Sequence, residues 1–71
     1  MEHLLVIEDD ARISEMVADY LGRSGFRISQ APNAAEGLNH IQTGPRVDLV
    51  ILELMLPDRD GLEVCRSIRS L

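Results

Sequence analysis

The chain of 71 residues contains no lysine, and its single cysteine is Cys65. All seven of its positive side chains are therefore arginines, and no phosphate-binding lysine can stand anywhere in the sequence. One cysteine excludes an internal disulfide and fits a reducing compartment. On an apolar helical stripe, Cys65 reads as core filler rather than as a nucleophile. No apolar run approaches the roughly 20 residues of a membrane span, and Met1-Glu2-His3 lacks a basic signal-peptide region. The chain is thus expected in the cytoplasm. Positive charge is scarce as well: 7 basic against 12 acidic residues give a net charge of −5. That balance argues against direct binding to nucleic acid or to an anionic membrane. Repeats, linkers and low-complexity segments are absent.

What is present is ordinary for a globular protein: 45% hydrophobic and 27% charged residues, a balance that argues against disorder. The length allows one domain, and a chain this short buries roughly 60% of its unfolded surface, so its core is marginal.

Strand and helix signals alternate along the chain. Leu4-Leu5-Val6-Ile7 is a continuous apolar run, predicting a strand over about residues 3 to 8 covered on both faces. Asp9 or Asp10 is a natural N-cap for a helix whose stripe is Ile13, Met16, Val17, Tyr20 and Leu21, closed by Gly22 and Gly25. Met16 and Tyr20 read as core rather than binding surface. Phe26 and Ile28 alternate with Arg27 and Ser29, the pattern of a half-exposed edge strand. Asn33 and Glu36 resemble a capping box before a helix that buries Ala34, Ala35, Leu38 and Ile41 and stops at Gly44-Pro45. Leu49-Val50-Ile51-Leu52 predicts a third strand over about residues 48 to 54. After Pro57-Asp58-Arg59-Asp60-Gly61, a third helix turns Val64, Cys65, Ile68 and Leu71 inward. Such alternation implies a parallel sheet with right-handed crossovers in spatial order 2-1-3.

Both apolar strands end on acids: Glu8-Asp9-Asp10 after the first and Glu53 after the third. As parallel neighbours they bring those carboxylates to one edge, where open parallel sheets place their ligand sites. Converging carboxylates suit a hard cation such as Mg²⁺. The blander reading makes the first three acids partners of a helix dipole. Asp58 and Asp60 read as turn and cap residues, and His3 and His40 as surface residues without metal-ligand spacing. Arg66 and Arg69 sit on the polar face of the last helix.

The segments Leu4 to Asp10 and Asp48 to Gly61, the latter with Leu56-Pro57-Asp58 before Asp60-Gly61, resemble the receiver domain of bacterial two-component response regulators. The wording is most similar to regulators with a winged-helix DNA-binding domain. The resemblance implies a partial flavodoxin-like α/β fold over residues 1–71, a single receiver domain truncated after its third helix. It also implies Mg²⁺ on Glu8, Asp9, Glu53 and the backbone carbonyl of Met55, a sensor histidine kinase as partner, and a transcriptional regulator as parent. The family's phosphoacceptor aspartate maps to Glu53, whose carboxylate is displaced by about 1.5 Å, a C–C bond length. A misplacement near 1 Å can cost on the order of 100-fold in rate. The family's Ser/Thr after strand four and lysine after strand five are missing. Weak Mg²⁺ binding and no ordinary phosphotransfer are the expectation.

Strand three reads as interior yet has no fourth strand beside it, and an exposed apolar edge is a template for pairing. A homodimer through that edge and the last helix is expected to complete the sheet. The rival reading is a phosphorylation-independent assembly element. An enzyme is disfavoured, because the acidic pocket comes with no general base, second nucleophile or phosphate-binding lysine.

Overall fold

Leu4-Leu5-Val6-Ile7 forms the middle of the sheet in the computed structural model, which describes residues 1–71. Strand β1 (His3–Ile7) is buried along its whole length. It pairs in parallel with β2 (Arg27–Ala31), from His3 opposite Arg27 to Ile7 opposite Ala31. On its other side it pairs in parallel with β3 (Leu49–Leu52), from Leu4 opposite Leu49 to Ile7 opposite Leu52. The order β2-β1-β3, with helices α1 (Ala11–Arg23), α2 (Ala34–Thr43) and α3 (Gly61–Arg69), is the arrangement the alternating pattern predicts. Strands β1 and β3 end slightly short of the expected spans of about 3 to 8 and 48 to 54, because the chain leaves the ladder just after Glu8 and Glu53 make their last rungs.

Alternate β1 residues serve opposite faces, as the pleat requires. Leu5 and Ile7 pack with Ala31 against Val50 and Leu52 of β3, Ile41 of α2 and Leu56. Val6 and Ile51 face the other way, towards Ile13 and Val17 of α1. Helix α2 sits so close that a Cβ at Gly37 would force the Ile7 side chain to move. Val64 anchors α3 and is fully buried.

Capping follows the sequence closely. Asp10 caps α1 by accepting from Arg12 N at 2.9 Å and Ile13 N at 3.2 Å. Asn33 caps α2 through Glu36 N at 2.9 Å. Asp60 caps α3 through Leu62 N at 2.7 Å.

Several burial expectations need correction. Met16 and Tyr20 are 65% and 72% exposed, because no element of the chain lies against the outer half of the α1 stripe. Cys65, Leu71 and Ala35 are exposed rather than inward; Cys65 lies on the open margin of an apolar cleft beside β3. Gly37, three residues after the buried Ala34, takes a buried place on the helix instead. His3 is not a surface residue. It is 4% exposed, with Nδ1 at 2.8 Å from the Arg46 carbonyl and Nε2 at 2.7 Å from Ser29 Oγ. Because the carbonyl can only accept, Nδ1 carries a proton. Asp48 completes this opposite rim, accepting from the His3 backbone N–H at 2.8 Å and pairing with Arg46 at 3.4 Å.

Candidate functional site

The carboxyl ends of β1 and β3 lie side by side. Glu8 N donates to the Ala31 carbonyl and Glu53 N to the Ile7 carbonyl, each at 3.0 Å, so the ladder delivers both glutamates to one rim. Glu8 stands between two openings. One, of about 300 Å³, is polar and lined by Glu8, Asp9, Glu15, Ser14 and Gln30. The other, of about 220 Å³, runs between Glu8 and Glu53 above Val6, Ile13 and Ile51.

Each glutamate is turned back on nearby backbone. Glu8 Oε2 accepts the Asp10 N–H at 3.1 Å. Glu53 Oε1 accepts the Leu54 N–H at 2.8 Å and the Met55 N–H at 3.3 Å. The Asp10 N–H favours ionised Glu8, but loss of water, a hydrogen bond with Asp9 and the charges of Glu53 and Asp9 outweigh it, and the Glu8 pKa rises above its ordinary 4.5. Like charges held this close favour a cation between them.

The loop after Glu53 is braced at three points. Met55 and Asp60 form an isolated antiparallel bridge. Gly61 N donates to the Leu54 carbonyl at 2.7 Å, and a Cβ on Gly61 would stand 2.5 Å from Leu54 Cα, so the crossing admits glycine alone. Asp58 reaches back to α2, where Ala34 N and Ala35 N donate to its two oxygens at 2.9 and 3.0 Å. Those two bonds lower the Asp58 pKa below its ordinary 3.8. The turn-and-cap reading of Asp58 is right in kind, but the helix it caps lies 23 to 24 residues earlier in the chain. No local spacing signals such a contact.

The response regulator receiver domain model matches residues 4–71. The chain belongs to the receiver domain family. It is 41% identical over 67 residues to the transcriptional regulatory protein ResD of Bacillus subtilis, covering 94% of this chain and 28% of ResD. It is 44% identical over 69 residues to the transcriptional regulatory protein AfsQ1 of Streptomyces coelicolor, covering 97% of this chain and 30% of AfsQ1. The receiver chain thus spans less than a third of those regulators. The response regulator TrrA of Thermotoga maritima, solved in complex with Mg²⁺ and BeF, superposes with a TM-score of 0.93 at 37% identity over 99% of this chain and 60% of TrrA. TrrA in complex with the histidine kinase ThkA superposes with a TM-score of 0.92 at 37% identity, with the same coverage. No helix of the receiver chain is long and apolar enough to cross a membrane.

Of the residues singled out in the sequence, Glu8, Asp9 and Glu53 share the rim, and Met55 follows in the braced loop. Their oxygens suit a hard cation in kind and charge. Their arrangement is incomplete: no three His, Cys, Asp or Glu side chains close on a common point. Both glutamate carboxylates are engaged by nearby backbone amides, Glu8 by Asp10 N and Glu53 by Leu54 N and Met55 N.

Proposed function

We propose that residues 1–71 act as the receiver module of a two-component response regulator, with Glu53 at the phosphoacceptor position. In this reading the longer parent regulates transcription in the cytoplasm and answers to a sensor histidine kinase. The chain itself contributes no nucleic-acid contact. Weak Mg²⁺ binding falls to Glu8, Asp9, Glu53 and the Met55 carbonyl, because the Glu53 carboxylate must first leave the Leu54 and Met55 amides. A bound divalent ion would neutralise the oxygens of an incoming phosphoryl group.

The observation that carries the reading is the Glu53 Oε1 bond to Leu54 N and Met55 N at 2.8 and 3.3 Å. A carboxylate oxygen that accepts from two loop amides is turned towards its own backbone, and its reach differs from that of aspartate. Glu53 therefore fixes one state of the rim rather than accepting a phosphoryl group. Incubation with acetyl phosphate and Mg²⁺, followed by intact mass, tests this. The wild-type chain should gain no phosphoryl adduct, and an adduct on Glu53 overturns the reading. Glu53→Asp asks whether side-chain length alone blocks the chemistry.

A second function, phosphorylation-independent self-association, is favoured by the outer edge of β3. Leu49 there is 57% exposed, and an apolar cleft of about 430 Å³ opens beside it, lined by Val47, Val50, Leu52, Cys65 and Ile68. Asp48 and Arg69 line the same cleft. A two-fold related copy can therefore set opposite charges against each other across an apolar centre. Sedimentation at micromolar concentration should show a dimer; a cooperatively unfolding monomer removes this reading.

A further inference from the structure

We infer that Asp58 is a positioning residue that makes the first turn of α2 and the loop carrying Glu53 and Met55 one mechanical unit. The N-terminus of α2 has three amides without helical partners before Gly37 N bonds Asn33 O. Asn33 takes the Glu36 amide, whereas Asp58 takes Ala34 and Ala35, one with each carboxylate oxygen. The division matters. Asn33 belongs to the helix it caps, but Asp58 belongs to the loop between β3 and α3. The Met55–Asp60 bridge and the Gly61 N to Leu54 O bond leave that loop little room to yield. A shift of α2 therefore pulls on the backbone whose Leu54 and Met55 amides hold the Glu53 carboxylate. The lowered Asp58 pKa agrees with a carboxylate bound as an anion by both amides. For its consequence, that α2 and the acidic rim change together, the inference rests on the receiver reading; the mechanical link itself does not.

Backbone amide exchange and resonance positions, read by NMR on the whole chain without metal or phosphodonor, test the link. Asp58→Asn leaves a single carbonyl oxygen for two amides. Ala34 and Ala35 should then exchange about tenfold faster, and Leu54 and Met55 should shift and lose protection with them. Asn33→Ala is the control, because it frays the same helix end without touching the loop. It should speed Glu36 and leave Leu54 and Met55 unchanged. Unmoved Leu54 and Met55 amides in Asp58→Asn overturn the link, as does an equal response to Asn33→Ala. Asp58→Ser serves the same comparison should the asparagine variant fail to fold. Phosphoryl transfer to wild-type Glu53 would sink the functional reading while leaving this result standing.

Discussion

Glu53 N donates to the Ile7 carbonyl at 3.0 Å, and this last rung between β3 and β1 sets Glu53 abreast of Glu8. The crowding of like charge at the rim follows from that one bond, together with the parallel register.

The rim should respond to pH in two opposite windows. The Glu8 pKa is raised in the folded chain from 4.5, so folding gains stability from Glu8 as pH falls towards 4.5 and loses it as pH rises through the folded pKa. The Asp58 pKa is lowered from 3.8, so its contribution is present above 3.8 and lost as pH falls through the folded pKa. Thermal melts across pH should show Glu8→Gln abolishing the first gain and Asp58→Asn flattening the acid loss. A Glu8→Gln profile parallel to wild type contradicts the charge crowding.

Gly61→Ala should destabilise by about 1–3 kcal/mol, since the added methyl meets rigid backbone rather than a movable side chain. Denaturant unfolding measures it, and an unchanged midpoint would mean the crossing is looser than described.

Tyr20→Ser should change stability by less than about 0.5 kcal/mol, as an exposed substitution does. Leu5→Ala, at the centre of β1, should cost about 2–5 kcal/mol. Equal costs at the two positions would mean that something covers α1 in solution.

His3→Leu should cost about 1–3 kcal/mol, because it strands the Arg46 carbonyl and Ser29 hydroxyl in a partly buried place. Retained stability would show that water replaces the ring.

Much of this was legible in the sequence. The uninterrupted run at Leu4 to Ile7 announces a strand covered on both faces; the run at Leu49 to Leu52 announces a strand but not its place, since β3 lies at the sheet edge with Leu49 57% exposed. The acids that end both runs announce the rim. Asp10, Asn33 and Asp60 cap their helices as their positions suggest. The failures share a cause. Periodicity says which side chains share a face but not whether anything lies against it, so Met16 and Tyr20 looked like core. His3 and Asp58 are set by contacts with residues 23 to 43 positions away, for which no local spacing exists. The turned-back Glu53 carboxylate was likewise invisible, because side-chain direction at a strand end depends on which amides the loop presents.

Since β1 contributes to every rung of the ladder, β2 and β3 never touch one another. The outer strands meet only through β1 and the core they share with it, so opening at Leu5 or Val6 dismantles the whole sheet. Slowest proton exchange should therefore concentrate in those central amides, and a protease nick between Thr43 and Val47 should release the β3–α3 arm as one piece while the β1–β2 pair survives longer.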